Sequence, residues 1–255
     1  LSYHNQTVGG LNNLAKELQG WSDPPGYISP RTGKRFDNLD LSKEYPIVAR
    51  ALQVGRNLAY ADGKVLPIMD TWASEKAVES PTEGPILLPG AKVGRLAGVE
   101  GTAQSQIYLS FHPKYGHNHL DPLNLNIYAK RQELVPDLGY THNSFYRHFS
   151  TSTMAHNTVI VDSSNMQVND VSRHGGNIET FAASDLAQVM RAGYDTAYAV
   201  TDEYSRELWY IPFAGGRSDQ AYVIDLFRVS GGSRHEYTLQ GVANQDAVFT
   251  TELPL

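Results

Sequence analysis

His117, His119, Asp137 and His156 lie within residues 116–157 and form a set that can bind a metal, move a proton or satisfy a polar core. In an extended chain, residues two apart face the same side. His117 and His119 are therefore expected to project into one cavity while Asn118 turns away. Neutral imidazole and carboxylate are ordinary zinc ligands. His119, Asp137 and His156 with a water would complete a tetrahedral shell, leaving His117 free for substrate. Each residue also has a plainer explanation. The two histidines can be strand residues bonded to loop carbonyls. Pro136-Asp137-Leu138-Gly139 reads as a turn in which Asp137 bonds its own backbone and Gly139 takes a positive φ. His156-Asn157 can cap the strand that follows.

The elements that must position these residues change character along the chain. Val8, Leu11, Leu14, Ala15 and Leu18 recur at helical spacing, predicting a helix over residues 6–19 that Gly20 ends. Residues 21–40, rich in Pro, Gly, Asp and Ser, read as a long loop. Ile47, Val48, Ala51, Leu52, Leu58 and Ala59 mark a second helix, with Ser42 as its N-cap and Asp62-Gly63 as its stop. Residues 80–102 carry repeated Pro and Gly and read as a connector. After them the apolar residues come in short runs at 107–111, 123–129, 158–161, 187–190, 208–213 and 221–229, the pattern of antiparallel strands in a sandwich or barrel. Gly215-Gly216 and Gly231-Gly232 read as turns. The expected fold is α+β and multidomain, with helices and connector over residues 1–100 and antiparallel β-sheet over 101–255.

Composition limits the function classes. The chain has 255 residues, 41% hydrophobic and 19% charged, enough to bury a substantial interior. With 21 Lys plus Arg against 27 Asp plus Glu, the net charge of −6 offers no general attraction for nucleic acid or an anionic membrane. An acidic ligand must be held by local cations. The absence of cysteine excludes disulfides and thiolate metal sites, so the histidines carry any metal. No apolar run approaches the roughly 20 residues needed to span a bilayer as a helix. Leu1-Ser2-Tyr3-His4 does not read as a signal peptide, and the lack of a starting Met leads us to expect further sequence upstream.

The segments GHNHLDPLNLNIYAKRQELVPDLGY and FSTSTMAHNTVIVD resemble the signature blocks of the heparinase II/III-like polysaccharide lyases, which include oligoalginate lyases. Leu66-Pro67-Ile68-Met69-Asp70-Thr71 is similar to the block near the end of that family's helical domain. Tyr204-Ser205-Arg206-Glu207-Leu208, the run 222–232 and His235-Glu236-Tyr237 resemble its β-sheet core. The resemblance covers most of residues 66–240, with the blocks in the family's order. It implies the end of an incomplete (α/α) toroid followed by an antiparallel β-sandwich, with the substrate cleft between them.

The implied reaction is β-elimination across the glycosidic bond of a 4-linked uronic acid in an acidic polysaccharide such as alginate or a glycosaminoglycan. The resemblance implies that His117 is the substrate-facing histidine and that His119, Asp137 and His156 hold a structural zinc. Tyr3 resembles the family's acid/base tyrosine. Tyr146, taken in preference to Tyr140, is the expected second tyrosine, with Arg147 and His148 available to stabilise phenolate. His4, Arg147 and Arg173 are the expected substrate-binding residues, although Arg173 also reads as part of a solvated turn. The residue that neutralises the uronate carboxylate in the family lies upstream of the tyrosine, so this chain is expected to be a fragment. A carbohydrate-binding or scaffold protein on the same fold is the main alternative, and a zinc hydrolase a further one. The family setting implied is bacterial, periplasmic or secreted.

Overall fold

The computed structural model describes all residues except 74–76, 99–103, 115, 169–174, 214–219, 243–245, 247, 249 and 253–255. Helices come first: α1 (Ser2–Glu17), α2 (Leu41–Glu44) and α3 (Pro46–Asn57). The first helix begins before the expected residue 6, which places Tyr3 within its opening turn. The loop expected over 21–40 is present, tied at its base by Gly20 N–H to Leu39 O at 2.8 Å and Leu39 N–H to Trp21 O at 2.7 Å. The expected second helix is two helices. Pro46 disfavours helical geometry at the preceding residue, and Tyr45 is non-helical at φ −131° and ψ 73°. Asp40 caps α2 by accepting from the Ser42 backbone, so Ser42 is a capped residue rather than the cap. The third helix stops at Asn57, ahead of the Asp62-Gly63 turn.

The connector expected over 80–102 is corrected by two strands within it, β1 (Ile86–Leu88) and β2 (Val93–Gly98). Glycine misled the sequence reading here, because two of the glycines are strand residues chosen by packing. A Cβ on Gly94 would lie 2.9 Å from Met190 Sδ, and one on Gly98 would overlap the Tyr210 ring. The β-structure therefore starts at Ile86 rather than at 101. The expected strand runs all hold strands: β3 (Ser105–Ser110), β4 (Leu125–Ala129), β6 (Val159–Val161), β8 (Gln188–Gly193), β9 (Thr201–Pro212) and β10 (Ala221–Gly231). Beyond them come β5 (Gln132–Val135), β7 (Asn177–Ala183) and β11 (His235–Tyr237). A short helix, α4 (Ser144–Ser150), precedes a 3₁₀ turn at Thr153–Ala155. Gly231 and Gly232 take the left-handed φ values of a turn, 95° and 75°; Gly215-Gly216 lies outside the described residues.

Pairing is antiparallel throughout, in a five-stranded sheet β1-β2-β3-β4-β5, a four-stranded sheet β10-β9-β8-β7 and a two-stranded ribbon β11-β6. The two larger sheets pack face to face as a sandwich. Leu96, Ile107, Leu109 and Leu125 meet Met190, Ala192, Leu208 and Tyr210 in the main core. The opposite face of the five-stranded sheet is covered by the end of the helical segment, where Val93, Tyr108 and Tyr128 pack on Leu58, Tyr60, Leu66 and Ile68. With both faces covered, β3 is buried along its whole length. Its polar residues on the helical side satisfy chain ends there: Gln106 Oε1 accepts from Ala61 N–H at 2.7 Å, and Tyr108 Oη donates to Ala59 O at 2.9 Å.

Arg95 on β2 joins the two layers. Fully buried, its guanidinium donates to Gly84 O at 2.8 Å, Asn57 O at 3.2 Å, Tyr108 Oη at 3.3 Å and Thr82 Oγ1 at 3.1 Å. Asn57 is the last residue of α3, where unpaired carbonyls and the helix dipole favour a cation.

Candidate functional site

The site is assembled by loops. Gly116 and His117 both take left-handed φ, 80° and 48°, so the histidine pair lies on the loop between β3 and β4 rather than in the expected strand. Strand alternation therefore does not bring His117 and His119 together; Asp70 does. Its Oδ2 lies 3.1 Å from His117 Nδ1 and its Oδ1 lies 3.2 Å from His119 Nε2. The His119 side chain is fully buried, whereas that of His117 is 59% exposed.

His119, Asp137 and His156 converge below this surface, all buried, with one ligand atom from each lying within 4.8 Å of the others. His156 Nδ1 faces Ser152 O at 2.7 Å, and a carbonyl only accepts, so this nitrogen carries the hydrogen and Nε2 the lone pair. His119 Nε2 faces the Asp70 carboxylate, which fixes its hydrogen there and turns the lone pair of Nδ1 inward. His119 Nδ1 and His156 Nε2 are then 3.1 Å apart, and His156 Nε2 is 3.6 Å from Asp137 Oδ2. Two facing lone pairs and a carboxylate repel one another unless a cation lies between them. Ligands on a tetrahedral zinc at about 2.0–2.1 Å are separated by roughly 3.4 Å, so the donor set and spacing fit such an ion. These residues would hold it and leave one coordination position for water.

The surroundings orient each ligand. Asn124 donates to Asp137 Oδ2 at 2.7 Å, while its own Oδ1 accepts from Asn157 N–H at 2.9 Å. Asn157 Nδ2 donates to Leu125 O and Pro136 O, so it ties strands together instead of capping one. The turn expected at Asp137 is present as well: Asp137 Oδ1 accepts from Gly139 N–H at 2.7 Å, and Gly139 has φ 60°. A Cβ at Gly139 would lie 2.5 Å from Thr71 O, so glycine lets this turn pack on the segment that carries Asp70. Burial, with the Asp121 carboxylate, pushes the Asp137 carboxyl above its ordinary value against the pull of His156 and His119. Burial alone would likewise raise Asp121, but His112, with His156 and His119 adding to it, holds that carboxyl well below the usual range; His112 is raised in turn. His112 Nε2 and Asp121 Oδ1 form a fully buried pair at 3.0 Å.

Above the buried set, Tyr3 from α1 stacks on His117 with ring centroids 4.3 Å apart and an interplanar angle of 28°. Arg147 Nη2 donates to both oxygens of Asp70, at 3.2 and 2.9 Å, and its guanidinium carbon lies 4.8 Å from the Tyr140 ring centroid. The bond to Asp70 raises the Arg147 pKa, with the Asp70 charge, Tyr140 and Tyr3 adding to it.

The structure thus brings together Tyr3, His117 and Arg147 around Asp70. His4 and Tyr146 are turned elsewhere, because successive helical residues diverge by about 100°. The His4 ring donates from Nε2 to Ala51 O on α3 at 3.0 Å, and Tyr146 is 60% exposed with its ring against Phe145. Arg173 lies outside the described residues. Tyr140, passed over on sequence, is the tyrosine beside Arg147; it also bonds His142 Nδ1 at 3.2 Å and packs on Trp72. Asp70 and Asn124 were not picked out either. The one available signal for Asp70 was its position in the block 66–71.

The family model described as heparinase II/III-like, C-terminal, matches residues 102–241, and the chain belongs to this family. Its fold is similar to that of the heparan sulfate lyase HepC from Pedobacter heparinus, at TM-score 0.67 and 14% identity over 90% of this chain and 37% of that one. A crystal structure of heparinase III superimposes at TM-score 0.61 and 13% identity, covering 80% of this chain and 38% of that one. The chain therefore spans well under half the length of these solved relatives. No curated protein matches it. Among the described residues no helix is long and apolar enough to cross a membrane.

Proposed function

We propose that this chain is part of a polysaccharide lyase that cleaves a 4-linked uronic-acid polysaccharide by β-elimination. The observation that carries the reading is the Tyr3–His117 stack beside Arg147 on a heparinase II/III-like fold. A base removes the C5 proton, the electron pair left on carbon forms the C4–C5 double bond, the C4–oxygen bond breaks, and an acid protonates the departing oxygen. Tyr3 and His117 supply the proton transfers. Arg147, partly exposed, provides positive charge for the uronate carboxylate as negative charge builds next to it. Tyr140, rather than Tyr146, is the second tyrosine of the cleft.

On this reading His119, Asp137 and His156 hold a structural zinc that braces the loop bearing His117. The missing carboxylate-neutralising residue belongs to a toroid domain of which α1–α3 form the end, and the whole protein works in the periplasm or is secreted.

The test is incubation of the full-length protein with alginate, heparan sulfate and polyglucuronate, read by the ultraviolet absorbance of the unsaturated uronate product. Absorbance that grows on one of them supports the lyase. Binding without product on every member of the panel would instead establish a carbohydrate-binding protein on the lyase fold.

A further inference from the structure

The Asp70 carboxylate touches three side chains of the site, those of His117, His119 and Arg147. Its side chain is 1% exposed, and its two oxygens are divided between two histidines, Oδ2 to His117 and Oδ1 to His119, with Arg147 Nη2 reaching both. The backbone adds a further tie, since Asp70 N–H donates to His117 O at 3.3 Å. That bond holds the carbonyl of His117, whose backbone is left-handed at φ 48°.

We propose that Asp70 is the positioning residue of this site, coupling the buried ligand set to the exposed histidine. The proposal rests on reading His117 as the substrate-facing group. An ionised carboxylate only accepts, so the His117 nitrogen that faces it carries hydrogen. Asp70 therefore fixes His117 as the Nδ1–H tautomer and leaves Nε2 for the sugar. The same carboxylate fixes His119 as the Nε2–H tautomer and leaves Nδ1 for the metal. One side chain thus sets two tautomers of opposite sense, and the orientation of His117 depends on the group that orients a ligand. Asparagine cannot replace it, because it offers one acceptor oxygen where the histidines use two. Glutamate would carry the charge but displace both oxygens by one methylene.

The experiment uses the full-length protein with selectively labelled histidine, as wild type, Asp70→Asn and Arg147→Met. Long-range proton–nitrogen correlation spectra report each tautomer, and a competing chelator reports metal affinity. Wild type should show His117 as Nδ1–H. Asp70→Asn should lose that tautomer and bind metal roughly 10–100-fold more weakly. Arg147→Met, which removes the ion pair but neither histidine contact, should keep both the tautomer and the metal. An Nε2–H His117 in wild type, unchanged metal affinity in Asp70→Asn, or the same losses in Arg147→Met would each overturn the proposal.

Turnover is a third readout, with kcat expected to fall roughly 100-fold in Asp70→Asn and KM to change little, as for a misplaced catalytic group. An inactive wild type would sink the lyase reading, and Asp70 would still be judged on tautomer and metal affinity.

Discussion

The ring of Tyr3, in the first turn of α1, lies 4.3 Å from the ring of His117, on the loop between β3 and β4. A phenol from the helical side and an imidazole from the sheet side thereby share one surface. Tyr3→Phe keeps this stacking and removes only the hydroxyl. In the full-length protein it should lower kcat by about 10²–10⁴-fold, the range for loss of a general acid or base. His117→Ala should do the same while metal content stays at the wild-type level. Product absorbance and elemental analysis of the same preparations provide the check, and near-wild-type turnover in Tyr3→Phe would remove Tyr3 from the mechanism.

The buried ligand set predicts a metal at near one equivalent, identified as zinc by elemental analysis. His119→Ala should lose it and destabilise the β-region by at least about 3 kcal/mol, because it leaves a buried carboxylate with one partner fewer. For a domain of this size that is a fall of roughly 6–12 °C in Tm, measurable by calorimetry. Untreated protein without metal would contradict the assignment.

The His112–Asp121 pair, with both side chains fully buried, should be costly to break on one side only. His112→Gln is expected to lower unfolding free energy by about 3–5 kcal/mol. Urea denaturation at neutral pH measures this. A loss below about 1 kcal/mol would mean that water or a neighbouring group satisfies Asp121.

Arg206 makes a similar prediction from the opposite sheet. Fully buried, it holds Asp225 through Nε at 2.9 Å and Nη2 at 2.7 Å, and also donates to the carbonyls of Leu123 and Asn157. Arg206→Lys keeps the charge but loses the fork geometry. It should still destabilise, with Arg206→Met worse by about 3–5 kcal/mol relative to wild type, since Asp225 then loses its cation. Because Asn157 follows His156, metal affinity should weaken in both variants.

Alkaline pH tests the core of the sandwich. Burial pushes the Tyr198 phenol up to about 12, against the smaller opposing influence of the Val161 backbone and the Thr153 side chain, and its hydroxyl donates to Val159 O and Ser164 O. The folded-state pKa is raised, so the stabilisation is complete below pH ~10 and is lost as pH rises through about 12. The full effect is roughly 3 kcal/mol. Tyr198→Phe should flatten this part of the stability curve, followed by denaturant midpoints across that window; an unchanged slope would reject it.

The sequence was informative where a side chain's role follows from a repeating pattern. Alternating and clustered apolar runs located β3, β4, β6, β8, β9 and β10, because each run feeds the same sandwich core. It was uninformative where a glycine serves packing, as at Gly94 and Gly98, since a breaker and a close contact look alike in one dimension. At the site, His119, Asp137 and His156 were legible from residue type and family likeness. Asp70 was not, because its partners lie about 50 and 80 residues away in loops whose course no local pattern specifies. Tyr146 and Tyr140 are alike in residue type and differ in what they touch: Tyr140, ahead of α4, lies under the Arg147 guanidinium, whereas Tyr146 on α4 packs on Phe145.

Arg95 bears on how this architecture can be recombined. Its guanidinium is shared between the end of α3, the segment leading into β1 and the centre of β3, and no carboxylate is among these contacts. Helical and sheet parts are therefore not exchangeable cassettes. A chimera that joins the helices of one relative to the sheets of another must carry over the carbonyls of Asn57 and Gly84 in register with Arg95, or it buries a naked cation at the seam. Swaps cut within residues 57–95 should misfold, whereas cuts that keep this stretch whole preserve the joint that sets Tyr3 opposite His117.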